Sequence, residues 1–196
     1  MSKRDIELFH RTAFARMAEA GERACNAPDA EASLSGITEV LFEILGDRNA
    51  HERPGALKEG ERQFFVSGIF LVLPNESGHL LVAENGFPPE QHRLRIPIVI
   101  AHPGWVYRNR VPLILANTDE HAGFAQILKT ARMGSALYGP MLWQGQMVGQ
   151  LVMAAQARNT FSEIDLEVLV AYTQLATAAF VASEGVGWLQ DLASSL

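Results

Sequence analysis

An α+β domain built on an antiparallel sheet is the fold class this sequence predicts, and three observations predict it. Helical periodicity is concentrated at the two ends of the chain, hairpin-like strand pairs fill the interior, and no strand–helix–strand repeat links those strands. Helices at the two ends of such a chain are expected on one face of the sheet. The 196 residues are 48% hydrophobic and 19% charged, enough apolar material for one sizeable core, and wholesale disorder is excluded.

The first helix is predicted over residues 5–25. Ile6, Phe9, Ala13, Met17, Ala20 and Ala24 recur every three or four residues, which makes one apolar face, and no proline interrupts them. Asn26-Ala27-Pro28-Asp29 breaks the helix. A second one carries Leu34, Ile37, Leu41 and Ile44 and stops at Gly46. The polar stretch from His51 to Gly60, with Pro54 and Gly55, reads as a loop.

Phe64 to Leu73 is apolar on both alternating faces, as a central strand covered on both sides must be. Asn75-Glu76-Ser77-Gly78 is a turn, and His79 to Ala83 is the returning strand. Leu94, Ile96 and Ile98 alternate with Arg95 and Pro97, and the proline marks an edge strand or a strand end. A short strand over 113–116 follows Pro112. Ser135–Trp143 and Met147–Ala155 then form a hairpin through Gln144-Gly145.

The final helix opens at Phe161-Ser162-Glu163-Ile164-Asp165-Leu166, with Ser162 as the N-cap and acids in the first turn. It carries two apolar stripes: Ile164, Val168, Ala171, Leu175, Ala178 and Ala182, and Leu166, Leu169, Thr173, Ala176 and Phe180. One sheet cannot cover both, so a second helix of this chain or a partner subunit is required. Gly185 and Gly187 fray or kink the end before Trp188.

Composition excludes several functions. With 22 Asp+Glu against 16 Lys+Arg the chain is acidic, which argues against a nucleic-acid-binding face. Cys25 is the single cysteine, so no intrachain disulfide, thiolate-rich metal site or two-thiol redox chemistry is available. The apolar run 164–182 is interrupted by Asp165, Glu167, Thr173 and Gln174, short of the ~18 continuous apolar residues of a membrane span. Nor does an apolar export segment follow Met1-Ser2-Lys3-Arg4-Asp5, so a cytoplasmic location without membrane association is expected.

At this point the chain resembles the GAF family of small-molecule sensory domains. Ser135-Ala136-Leu137-Tyr138-Gly139-Pro140-Met141 looks like the family's penultimate strand. Gly145-Gln146-Met147-Val148-Gly149-Gln150-Leu151 looks like its final strand, and Phe161-Ser162-Glu163-Ile164-Asp165 like the opening of its C-terminal helix. Upstream, Gly104-Trp105-Val106, Val111-Pro112-Leu113 and Asn117-Thr118-Asp119 resemble the stretch where a short helix leads into a strand and an Asp-containing loop. The resemblance covers residues 30–183 and implies a sheet of roughly six antiparallel strands, with N- and C-terminal helices on one face. A ligand-pocket lid on the other face is implied too, and the irregular stretch 86–134 has the size and position for it. The expected division is a terminal helix for signalling or dimerisation over 1–27, the GAF-like domain over 28–183 and a helical tail over 184–196.

The relatives that reduce free methionine sulfoxide, like those that attach bilins, use pocket cysteines, and Cys25 lies on the first helix. The cyclic-nucleotide signature is not matched, since Asn117, Phe124 and Asp119-Glu120 stand in the wrong order and spacing. His102, His121 and Asp119 lack the spacing of a helical metal motif, so no metal site is assigned, and the sequence names no cofactor. What remains is an apolar pocket with a few converging polar groups. By position its candidate ligand-binding residues are Trp105, Asn117, Asp119, Phe124, Arg132 and Tyr138: Trp105 and Phe124 as a stacking wall, Arg132 for a carboxylate or phosphate, and Asn117 and Asp119 as acceptors. Lid core, a surface ion pair and a satisfied core hydroxyl are the structural alternatives for these same residues.

The expectation is therefore a cytoplasmic sensory domain without catalytic activity, dimeric through its terminal helices, that binds a small molecule and signals to an effector protein. A structural dimerisation module is the alternative, as is a detached input domain of a histidine kinase, cyclase or transcriptional regulator.

Overall fold

The computed structural model describes residues 6–127 and 132–196. Two helices, α1 (Ile6–Cys25) and α2 (Ala30–Ile44), precede the first strands, β1 (Phe65–Val72) and β2 (His79–Asn85). The middle of the chain supplies a short strand, β3 (Arg95–Ile96), a nine-residue helix, α3 (Ala101–Asn109), and β4 (Leu113–Leu115). The long hairpin of β5 (Ser135–Trp143) and β6 (Gln146–Ala155) follows, and α4 (Glu163–Ala182) and α5 (Gly185–Ser195) close the chain.

The strands form one six-stranded sheet in the order β3-β2-β1-β6-β5-β4, every neighbouring pair antiparallel. β1 and β6 sit at its centre, which is why both alternating faces of β1 are apolar and buried. β3 is shorter than the sequence suggests because Pro97 has no N–H to continue the ladder, and Ile100 N–H instead closes a turn on Pro97 O at 3.1 Å. In the β5–β6 turn, Gln144 and Gly145 both have positive φ (50° and 77°), the conformation of a two-residue hairpin whose twist matches its strands.

Alternation along the strands sends side chains to two cores. On one face Leu71, Leu137, Leu151 and Met153 pack with Leu34, Ile37 and Leu41 of α2 and Leu169, Tyr172 and Phe180 of α4. α1 lies on α2 and α4 and supplies Phe9, Ala13 and Ala20 to the same core, so helices of the chain itself take up much of both α4 stripes. The Tyr172 hydroxyl donates to Ala13 O at 3.0 Å and ties α4 to α1. Although α4 is long and apolar enough to cross a membrane by length and composition, it is packed here as the central helix of this layer.

Both ends of α4 are defined by specific bonds. Asp165 Oδ2 accepts from the Ser162 N–H at 2.9 Å and from its hydroxyl at 2.7 Å, while Oδ1 accepts from Gly46 N–H at 3.0 Å, joining the end of α2 to the start of α4. At the other end Glu184 adopts a left-handed conformation (φ 56°), and α5 departs in a new direction. On the opposite sheet face Val66, Phe70, Leu81, Tyr138, Val152 and Ala154 form the second core, beneath Val106 of α3 and under Phe124 and Met133.

Candidate functional site

After Pro97 ends β3, the chain turns into α3 and brings Pro103 over the sheet; Phe124, Ala125 and Ile127 cover it beside α3. Between this cover and the strands lies a cavity of about 40 Å³. Its floor is Val66 and Phe70 of β1, Tyr138 of β5, and Val152 and Ala154 of β6, with Phe87 and Met133 at the sides. Since a water needs about 10–15 Å³ on this measure, the space corresponds to about three waters.

Among the described lining residues only Tyr138 carries a side-chain hydroxyl. That residue is 3% exposed, and burial alone pushes its hydroxyl pKa well above the usual phenolic range, with no hydrogen bond acting on it. Phe124, the other sequence candidate at the cavity, is a lid residue. The Arg132 guanidinium lies 4.7 Å from its ring centroid, and the His102 ring is 5.6 Å away.

The polar candidates are used elsewhere. Asn117 caps the 3₁₀ turn Thr118–Glu120: its Oδ1 accepts from Asp119 N–H at 3.1 Å and its amide donates to Glu120 Oε1 at 2.9 Å. Asp119 pairs with Lys58 at 2.7 Å, with Arg158 Nε at 2.9 Å and with Arg132 Nε at 3.5 Å. The Lys58 hydrogen bond, reinforced by Arg158 against the cost of burial, holds the Asp119 carboxyl at about 2. Arg158 is 3% exposed and also pairs with Glu61, so one cation joins the 56–61 loop, the 118–120 turn and the end of β6. Arg132 donates to Phe124 O at 3.2 Å and to Thr118 O at 2.9 Å, securing the lid backbone. Trp105 is 36% exposed on α3 and does not line the cavity.

A buried polar group lies under α3 beside this site. Gln150 of β6, fully buried, donates to Pro103 O at 3.4 Å, and its amide nitrogen is 3.5 Å from His79 Nε2. His79 is fully buried, edge-on to Tyr107 at 5.8 Å. Burial drives its pKa down to about 4, partly opposed by a hydrogen bond to the backbone of Ile98. His102 and His121 stack edge-on at 5.5 Å, yet no three His, Cys, Asp or Glu side chains converge as metal ligands among the described residues.

Sequence reasoning missed most of the floor: Val66, Phe70, Val152 and Ala154. The signal was present, because these positions share the strand parity of Tyr138, and the opposite parity feeds the helix-covered core.

No curated protein sequence matches this chain. Among solved structures, the GAF domain of a phosphoenolpyruvate-protein phosphotransferase from Coxiella burnetii superposes with a TM-score of 0.72 at 18% identity, covering 90% of this chain and 97% of that one. The corresponding Acinetobacter domain gives 0.70 at 18% identity, covering 88% and 95%. Free methionine-R-sulfoxide reductase from Neisseria meningitidis, solved with its substrate, also gives 0.70 at 18% identity, covering 95% and 96%. This last likeness corrects the expectation that the chain has no catalytic activity: the same architecture serves enzymes, so the fold does not separate a sensor from a catalyst. Cys25 is exposed at the end of α1, which packs on the helical side of the sheet, so the chain's only thiol is not beneath the lid. Residues 56–181, well over half the sequence, match the family profile described as GAF domain, and the chain belongs to that family.

Proposed function

We propose that this chain is a cytoplasmic sensory domain that binds a small molecule in the chamber under α3 and the 124–127 segment, and reports its occupancy through the terminal helices. The observation that carries this reading is the apolar cavity on the sheet face opposite α1 and α4. Val152 and Ala154 line the cavity while Leu151 and Met153 contact the helix layer, so one strand touches both the ligand space and the output face. Signalling then requires that the occupant bind one arrangement of lid and helices more tightly than the other.

The output is a homodimer formed through α1 and α4. Ile6 and Phe14 of α1 are 50% and 70% exposed, and Phe14 flanks a surface groove with Ala13, Met17, Val168 and Ala171. Likeness to GAF domains of phosphotransferase proteins supports a role as an input domain coupled to a signalling effector. An exposed free thiol at Cys25 suits a reducing compartment.

Native mass spectrometry of the freshly purified protein tests the binding claim. A small molecule retained by the wild type and absent from Ala154→Phe, which fills the chamber, is the expected result. Amide exchange should then slow in α4 when that molecule is restored. Equal spectra and equal exchange in both proteins would leave a closed structural dimerisation module as the better reading.

A further inference from the structure

We infer that the turn over residues 88–93 links the lid to α5 around the β3 edge of the sheet, so that the lid's position sets how firmly α5 is docked. This deepens, and rests on, the reading that the terminal helices report the state of the lid. The first support is the reach of the turn. Phe87 leads into it from the cavity wall, and Gln91, 1% exposed, donates its amide to Ile127 O of the lid at 3.1 Å. His92 Nδ1 lies 2.6 Å from Glu84 Oε1 and fastens the turn to β2. Arg93 then reaches the helical layer: its guanidinium pairs with Glu31 of α2 and stands 5.8 Å from the Trp188 ring of α5. Consecutive side chains therefore hold the lid, the sheet and the helices.

The second support is the backbone. Arg93 has φ 60°, a left-handed conformation that a β-carbon disfavours and that persists where the surrounding contacts over-determine it.

The third support is how α5 is attached. It leaves α4 at Glu184, itself left-handed, and Gly187 in its first turn has open space around it. Leu189 is buried, while Trp188, Leu192 and Ala193 pack on the helical core only in part. A short helix held this way belongs to the low-stability end of a fold, where docked and undocked states exchange and a single clasp shifts their balance.

The test needs no ligand. Amide hydrogen exchange is followed by NMR in the full chain for the wild type, Gln91→Ala, Arg93→Ala and the double variant. The Trp188 N–H, bonded to Glu184 O, reports on α5, and the Phe124 N–H, bonded to His121 O, reports on the lid. Gln91→Ala should speed exchange at Trp188 about fivefold and Arg93→Ala about tenfold. Adding Gln91→Ala to Arg93→Ala should then change Trp188 no further, because the route is already broken. By reciprocity, Arg93→Ala should also speed exchange at Phe124. Trp188→Leu, which keeps an apolar side chain in the helical layer, should likewise leave α5 indifferent to Gln91→Ala. No change in α5 on Gln91→Ala, or full addition of the two effects in the double variant, overturns the link. Equal acceleration in the β1 and β6 ladders, the sign of a global loss of stability, overturns it as well. Failure here leaves ligand binding to be judged by native mass spectrometry alone, whereas an empty chamber in that experiment fells the sensory reading and leaves the link a structural one.

Discussion

Asp119 and Arg158 show how a residue that reads as a ligand contact can instead be a strut. Asp119 lies in the irregular middle of the chain, beside two candidate histidines, but its partners Lys58 and Arg158 come from segments 61 and 39 residues away. No local pattern encodes that meeting. Asp119→Asn leaves the buried Arg158 with a weaker acceptor and should cost about 1–3 kcal/mol, measured as a fall in urea stability. Because the folded carboxyl titrates near 2, below its ordinary value of 3.8, its stabilisation is complete above about pH 4 and disappears as pH falls toward 2. Thermal melts between pH 5 and 2 should therefore show an acid loss in the wild type that is smaller in Asp119→Asn. That Tyr138 and Phe124 line the cavity was legible because it follows from position on an element or in the lid. Asn117, Asp119 and Arg132 were placed correctly along the chain but not in three dimensions, since their polar atoms are consumed by caps and long-range ion pairs.

At the scale of elements, the sequence carried the fold well wherever one period governed a long segment. α1, α2, β1, the β5–β6 hairpin and α4 all appear within a few residues of where their patterns put them. The middle of the chain was less readable because β3, β4 and α3 are too short to display a period and are held by turns and tertiary contacts. Close approach of α4 to β5 is a demand that periodicity does not express. A Cβ added to Gly139 would overlap Thr173 Oγ1, which is itself donating to Leu169 O at 2.7 Å, and would press on Leu169. Gly139→Ala should destabilise by about 1–3 kcal/mol, visible as a lower urea midpoint with an unchanged slope.

Across the whole molecule the two sheet faces titrate and expose apolar surface differently. His79, beneath α3, has a folded pKa of about 4 against 6.5 in a free chain, so the unfolded state binds more protons between these values. Stability is then fully present above pH 6.5 and falls as pH drops toward 4; burial, with His121 and Arg132 nearby, lowers the His102 pKa and gives the same sign. His79→Leu should flatten the melting temperature across this window. On the helical face, the proposed dimer predicts that Phe14→Glu gives a monomer in light scattering at high concentration where the wild type gives a dimer, without lowering the melting temperature, because Phe14 is 70% exposed.

β6 fixes how such a domain can change. Successive residues along it belong alternately to the chamber wall and to the packing under the helices, and its pairing is set on both sides by β1 and β5. Loss or gain of one residue in that strand would exchange the two sets and ruin both at once. Change in the cavity is therefore confined to replacing single side chains at fixed places, such as 66, 70, 138, 152 and 154, and chains of this lineage should keep the length of β6 while the side chains at those places drift.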